Sequence, residues 1–303
     1  MRRRLALLPL TVLGVLVLVS VFLHLVPGDA VDVMLGDSAA PADREVLRRA
    51  LGLDRPWPVQ LLRSLAALSQ GDLGWSLSYR TSVARLVAAR WPATLELALA
   101  ALAFALVVAL PLGIAAGARP GTAIDHLARW TSLTGVCLPT IVLGPLLILV
   151  FAVHLGWFPV SGRDGPAHLV LPAATLGLGM VGILVRLART AMLVALAEAW
   201  AHAARARGAS PLRVVLGHAL PAALPPVVTV AGLQAGALLA GAIVTETIFA
   251  WPGIGRLTVQ AIGARDYPLV QGCVLVIALT YVLVNCCTDV LMLWLDPRLR
   301  DGE

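Results

Sequence analysis

The sequence predicts an all-α polytopic membrane protein with six transmembrane helices and one extracytoplasmic loop domain after the first. Three observations carry this. Of 303 residues, 59% are hydrophobic and 13% charged, against about 45–50% and 25% in soluble domains. Mean hydropathy is +0.88. The charges lie between uncharged runs, several of them long enough to cross a bilayer, which takes about 20 apolar residues as a helix. In lipid, backbone polar groups must be satisfied internally, so spanning elements are helices or closed barrels. An ordinary soluble enzyme and a disordered chain are both excluded.

The first element follows Arg2, Arg3 and Arg4 as 24 residues without a charge, Leu5 to Gly28. A secretory signal peptide has a shorter apolar core of about 7–15 residues and a small-residue cleavage site. This run exits through His24, Pro27, Gly28 and Asp29 and reads as an uncleaved span. Residues 1–28 are thus a cytoplasmic N-terminus and first helix. Residues 29–93 form the long polar stretch, with seven acids and eight arginines, read as an extracytoplasmic loop domain. Within it, Asp43, Arg44 and Glu45 with Val46, Leu47 and Leu51 make a short amphipathic helix behind Pro41, a residue suited to a helix start. Pro56 and Pro58 break it, Val59–Leu68 makes a second, and Gly71 and Gly74 mark a turn before Trp75. Residues 94–303 read as a core of five further spans: Leu97–Ala118, one within Trp130–Gly162, Leu169–Val185, one within Val214–Thr245, and Val270–Thr288 continuing to Leu295. Trp130–Gly162 exceeds what one span needs. Its tail, Trp157-Phe158-Pro159, suits the headgroup level, where Trp is enriched.

Arginine placement orients the chain. All 23 basic residues are Arg and the net charge is +6. With the N-terminus inside, the cytoplasmic segments hold twelve arginines, whereas the short outer loops hold three: Arg163, Arg256 and Arg265. The other eight lie in the 29–93 stretch, long enough that the positive-inside rule weighs it little. Both termini are therefore expected in the cytoplasm. Arg between apolar runs reports topology, and no nucleic-acid partner is expected.

The chain is poor in chemistry of its own. Cys137, Cys273, Cys286 and Cys287 lie in apolar runs without metal-ligand or disulfide spacing. Gly177-Leu-Gly179-Met-Val-Gly182 matches a dinucleotide fingerprint but lies inside a span, where glycines permit close helix approach. Gly113 with Gly117, and Gly232 with Gly236, read as further packing faces. Without Lys there is no phosphate-binding G-x-x-x-x-G-K-[ST] loop. H-E-x-x-H and G-x-S-x-G are also absent, so no catalytic, cofactor-binding or metal-ligating residues are assigned. An intramembrane protease would place paired polar residues deep in facing spans. A secondary carrier would place ionisable groups at the midplane. The polar candidates inside spans are Gln234, Asn285 and Asp289, and Asp289 lies near a membrane end without an acidic mate.

The informative segment is the expected cytoplasmic loop 186–221. Its Ala-rich turns favour helix. Gly208-Ala-Ser210-Pro211 interrupts them, with Gly at a C′ position, Ser as N-cap and Pro opening the next helix. Connections between helices usually take about 2–8 residues; this one is far longer. It shows Trp200, Leu212 and Val215 beside Arg205, Arg207 and Arg213, a surface suited to a protein partner or anionic lipid.

This segment resembles the coupling motif of type I ABC importer permeases, written E-A-A, three residues, G, nine residues, I-x-L-P. Here His202-Ala203-Ala204 is followed by three residues, Gly208, nine residues, and His218-x-Leu220-Pro221. A basic residue in the first position is typical of the peptide and nickel branch. Further blocks resemble that branch: Leu51-Gly-Leu-Asp54-Arg-Pro56-Trp-Pro58-Val-Gln60, Gly71-Asp72-Leu-Gly74, Glu246-Thr-Ile-Phe249-Ala-Trp251-Pro252-Gly253-Ile-Gly255, Arg265-Asp266-Tyr267-Pro268-Leu-Val-Gln271, and Asp296-Pro297-Arg298-Leu-Arg300. The resemblance implies the type I importer permease fold in a bacterial inner membrane. It also implies a homologous second permease, two ATPase subunits that bind ATP and Mg, and an extracytoplasmic binding protein. The cargo implied is a dipeptide or oligopeptide, with nickel, a nickel chelate or a glutathione-like peptide as alternatives. Glu198, Trp200, His202, Ala203, Ala204, Arg205, Arg207, Gly208, Ser210, Pro211, His218, Leu220 and Pro221 are the expected ATPase-coupling residues. Glu246, Phe249, Trp251, Pro252, Gly253 and Gly255 are expected to form a structured turn at the outer mouth within 246–268. There Phe249 and Trp251 would anchor at the interface, and Glu246 would pair with Arg256, Arg265 or a helix N-terminus.

Overall fold

The structure is a computed structural model that describes residues 11–21, 31, 40–50 and 54–295. The ends of the first apolar run, Leu51-Gly-Leu and the Asp296–Arg300 block lie outside the described residues.

Helices dominate what is described. The first described helix is α1 (Thr11–Val21), within the first apolar run. The polar stretch contains α2 (Pro41–Ala50) and α3 (Trp57–Ser69), both where amphipathic spacing puts them. A two-residue antiparallel pair follows, β1 (Trp75–Ser76) and β2 (Thr81–Ser82), in the register Trp75 with Ser82 and Ser76 with Thr81. Among the described residues, four helices are long and apolar enough to cross a membrane: α4 (Val83–Ala118), α7 (Pro166–Ala197), α9 (Pro211–Ile248) and the Tyr267–Met292 part of α11 (Tyr267–Leu295). Between α4 and α7 lie α5 (Ala123–Cys137) and α6 (Thr140–Leu147), the latter continued by a wider turn over Ile148–His154. Taken together as one broken segment, these make a fifth candidate crossing. Two shorter helices are α8 (Ala199–Ala206) before α9 and α10 (Ile254–Gly263) before α11.

Several boundaries differ from the hydropathy reading. α4 starts at Val83, inside the stretch expected as loop, and α7 runs to Ala197 past Arg186 and Arg189. A charge ends an apolar run but not a helix, because Arg is a good helix former. The long run 130–162 is broken because Pro139 forces Leu138 out of helical geometry, at φ −90° and ψ 113°.

The chain divides into two compact units, Met1–Thr94 with Pro252–Val282, and Leu95–Trp251 with Leu283–Glu303. In the first, Val83 and Val87 pack with Ile254, Leu257 and Ala261 of α10 and with Leu269, Val270 and Cys273 of α11. Buried Asp266 caps α11 through Leu269 N (3.2 Å) and also accepts from Ser76 Oγ (2.6 Å) and Ser78 Oγ (2.7 Å). This ties the β1–β2 hairpin to the α10–α11 corner. In the second unit, glycines bring helices into backbone contact. A methyl group on Gly177 of α7 would lie 2.7 Å from Ala101 O of α4, and one on Gly182 would lie 2.8 Å from Ser132 O of α5. The G-x-G-x-x-G run is therefore a packing surface.

Candidate functional site

The first candidate is the hairpin formed by α8 and the first turns of α9. α7 and α8 are separated by Glu198 alone, whose extended backbone (φ −67°, ψ 149°) opens α8. α8 closes with a paired cap: Gly208 N donates to Arg205 O (2.9 Å) and Ala209 N donates to Ala204 O (3.1 Å). This is the Schellman arrangement, which needs a left-handed residue at C′, and Gly208 has φ +83°. Ser210 then caps α9, its Oγ accepting from Arg213 N (3.4 Å), with Pro211 in the first turn. Ala201 and Ala204 are buried against Val214, with Leu196 and Ala209 alongside. The small side chains of α8 thus meet Val214 where the two helices of the hairpin approach.

α9 then widens over Val215–Ala219, where Leu220 N donates five residues back to Val215 O. Pro221 follows and has no N–H to offer. The wide turn and proline mark where the hairpin passes into the long apolar part of α9. His218 Nδ1 lies 3.3 Å from Arg213 O. Outward from this frame, Glu198, Trp200, His202, Ala203, Arg205 and Arg207 are exposed, with Leu212 at 67%. Val215, expected on that surface, is half-buried; Leu216 takes its place because the wide turn shifts the helical register.

The second candidate, the turn expected at the outer mouth, sits at the other end of α9. Ala250 N donates to Thr247 O (3.4 Å) and Trp251 N to Glu246 O (2.9 Å), a second Schellman cap with Ala250 left-handed at φ +51°. The cap turns Trp251 inward. Glu246, Phe249 and Trp251 are 0–1% exposed, so the expected interfacial anchors are packed inside the protein. The Arg163 guanidinium lies 5.6 Å from the Trp251 ring centroid, within cation–π range. It also donates to Glu96 Oε2 through Nε (2.9 Å) and a terminal nitrogen (2.5 Å). Gly162 N donates to Phe249 O (3.1 Å). Past the turn, Gly253 opens α10, and Thr94 Oγ1 accepts from Ile254 N (2.8 Å). Pro252 is half-buried, and Gly253 and Gly255 are buried.

The family model described as "Binding-protein-dependent transport system inner membrane component" matches residues 109–301. The chain belongs to this family. It is 43% identical to the di/tripeptide transport system permease protein DppB of Pseudomonas aeruginosa, over 98% of this chain and 97% of that one. It is 40% identical to the dipeptide transport system permease protein DppB of Escherichia coli (strain K12), over 98% and 97%. It is 40% identical to the glutathione transport system permease protein GsiC of Salmonella paratyphi A, over 99% and 98%. A solved structure of the MetNI methionine ABC transporter, inward facing, shares the fold with a TM-score of 0.57 at 25% identity, covering 70% of this chain and 96% of that one.

The permease is thus a multi-pass membrane component of an ABC transporter that works with other subunits, and not itself a catalytic enzyme. Its sequence-predicted coupling residues fall on one hairpin, and Glu246, Phe249 and Trp251 on one turn. Arg163 and Glu96 are the residues sequence reasoning missed. They stand 88 and 155 positions before Trp251, and no local spacing links them.

Proposed function

We propose that this permease, together with a homologous second permease, forms the pathway for dipeptides or oligopeptides delivered by an extracytoplasmic binding protein. Two ATPase subunits, which carry ATP and Mg, dock on residues 198–221 and drive it. The supporting observation is the exposed hairpin. Its backbone is fixed by two caps and a small-residue contact, while its outer face presents Trp200 and Leu212 among arginines. A rigid apolar-plus-basic projection is what a force-transmitting contact requires. The peptide and glutathione names of the relatives support the cargo class, glutathione being itself a tripeptide.

The proposed topology has six spans, the first around α1, with both termini cytoplasmic and residues 29–93 outside. α9 supports it. Its 38 residues extend about 57 Å at 1.5 Å per residue, well beyond a hydrocarbon core of about 30 Å. The hairpin and the outer turn, at its two ends, therefore face opposite compartments. The turn gates cargo arriving from the binding protein.

A photocross-linking residue at Leu212 in the assembled transporter should capture an ATPase subunit. Vanadate should abolish import of a dipeptide such as dialanine. Vanadate-insensitive import would point to a secondary carrier, and a silent Leu212 position would reject the docking site.

A further inference from the structure

α7 carries the hairpin directly, and its last turns are gripped from two sides. On one side, a methyl on Gly113 of α4 would lie 2.8 Å from Val185 O, and one on Gly117 would lie 2.7 Å from Arg189 O. Backbones therefore touch there. On the other side, the first turn of α5 carries Asp125, which is fully buried. Asp125 takes the whole fork of Arg189: Nε donates to Oδ1, and a terminal nitrogen donates to Oδ2 at 3.0 Å. The same carboxylate accepts from Arg129 (2.9 Å) and from Gly121 N (2.9 Å), so the α4–α5 turn closes over α7. One turn further, Met192 and Ala195 pack with Ala219 and Ala223 of α9.

The far end of the α5–α6 segment reaches the outer turn. A methyl on Gly144 of α6 would lie 3.3 Å from Ile248 and 3.5 Å from Phe249. A contiguous chain of contacts thus runs from the hairpin through α7 to Arg189, across to Asp125, along α5 and α6, and onto Phe249. Most of its joints are apolar and can slide. The Asp125–Arg189 joint cannot, because two parallel charge-assisted hydrogen bonds fix distance and orientation together, and separating them takes two donors from a fully buried carboxylate.

We infer that the Asp125–Arg189 fork passes motion of the ATPase-docking hairpin to the α5–α6 segment and so to the outer turn, making both residues positioning residues of transport. The inference rests on the docking reading above. A contiguous path alone does not establish coupling, so the test reads coupling itself. Transporter complexes carrying Asp125→Asn, Arg189→Gln, both, or Arg189→Lys are reconstituted, and dialanine imported per ATP hydrolysed is measured per assembled complex.

Each charge-removing single variant should lower that ratio by about tenfold, within the 5–150-fold usual for coupled sites. The double should fall no further than either single, as for residues acting as one unit. Arg189→Lys keeps the charge but loses the fork and should fall by about threefold. A merely structural role would reduce the amount of complex and leave its ratio untouched. Wild-type ratios in Asp125→Asn and Arg189→Lys complexes overturn the inference. If Asp125→Asn does not accumulate, Arg189→Lys decides alone. A missing Leu212 cross-link in the wild type rejects the docking reading. A present cross-link with unchanged ratios rejects the fork alone.

Discussion

At Gly208 the backbone angle, not the available space, decides what the position tolerates. A Cβ there meets nothing within 4 Å, yet φ is +83°. An L-residue in the left-handed region costs about 1–2 kcal/mol; Asn bears it better than Ala, and a β-branched residue bears it worst. Dialanine import should therefore fall in the order Gly208→Asn, Gly208→Ala, Gly208→Val, with equal amounts of chain in the membrane. Wild-type import by Gly208→Val would show that the bend is dispensable. Ala250 is the mirror case, left-handed at φ +51° without being glycine. Gly there should raise stability by about 1 kcal/mol, the relieved strain exceeding the entropy added to the unfolded chain. Thermal unfolding in detergent measures it, and a lowered Tm contradicts it. The two positions also show what a sequence can reveal. Gly208-Ala-Ser-Pro announces its cap because each residue type is specialised for its place. Ala250 and Arg265, the left-handed residues ending α9 and α10, carry no such signature, so the sequence does not announce the inward turn of Trp251 and reads that residue as an interfacial anchor.

At the scale of elements, spans are legible from hydropathy because lipid imposes it, whereas helix ends are not, because Arg85, Arg90, Arg186 and Arg189 continue helices that apolar counting stops. The small-residue faces are legible as spacing, but their partners emerge only in three dimensions. Gly113 and Gly117 meet α7 backbone, whereas a Cβ on Gly217, in the wide turn of α9, would meet nothing within 4 Å. Gly117→Ala should therefore destabilise the folded permease, while Gly217→Ala should be neutral or stabilising by up to about 1 kcal/mol. Comparable loss in both, read by thermal unfolding, would mean that helix contact is not what Gly117 serves. The outer turn gives a functional counterpart. Trp251→Ala empties a fully buried site and should cost about 3–5 kcal/mol of stability. Arg163, partly exposed, holds Glu96 in a pair worth only about 0–1 kcal/mol. If the turn gates cargo, alanine at Glu246 and at Trp251 should lower import per assembled complex and disturb its stimulation by the binding protein. Wild-type behaviour in both would reduce the turn to a structural plug.

The whole molecule must place its two candidate sites in different compartments for either reading to work. In the proposed topology residues 198–221 lie inside with the termini and residues 29–93 outside, and the 38 residues of α9 are more than a bilayer crossing needs. Impermeant thiol labelling tests this directly once the background is removed, since Cys137 and Cys287 are exposed on the isolated chain. In a chain without its four cysteines, Ala42→Cys and Ala206→Cys each place a thiol at an exposed position, one on α2 and one on α8. Neither is a motif residue, so both variants should insert normally. In intact cells with a permeabilised outer envelope, Ala42→Cys should label and Ala206→Cys should not; after the inner membrane is opened, both should label. The contrast matters more than either result, because a single unlabelled site can be shielded by a partner subunit. Labelling of Ala206→Cys from outside, with Ala42→Cys protected until lysis, would invert the permease. The hairpin would then face away from ATP, and both the docking site and the path through Asp125 would fall with it.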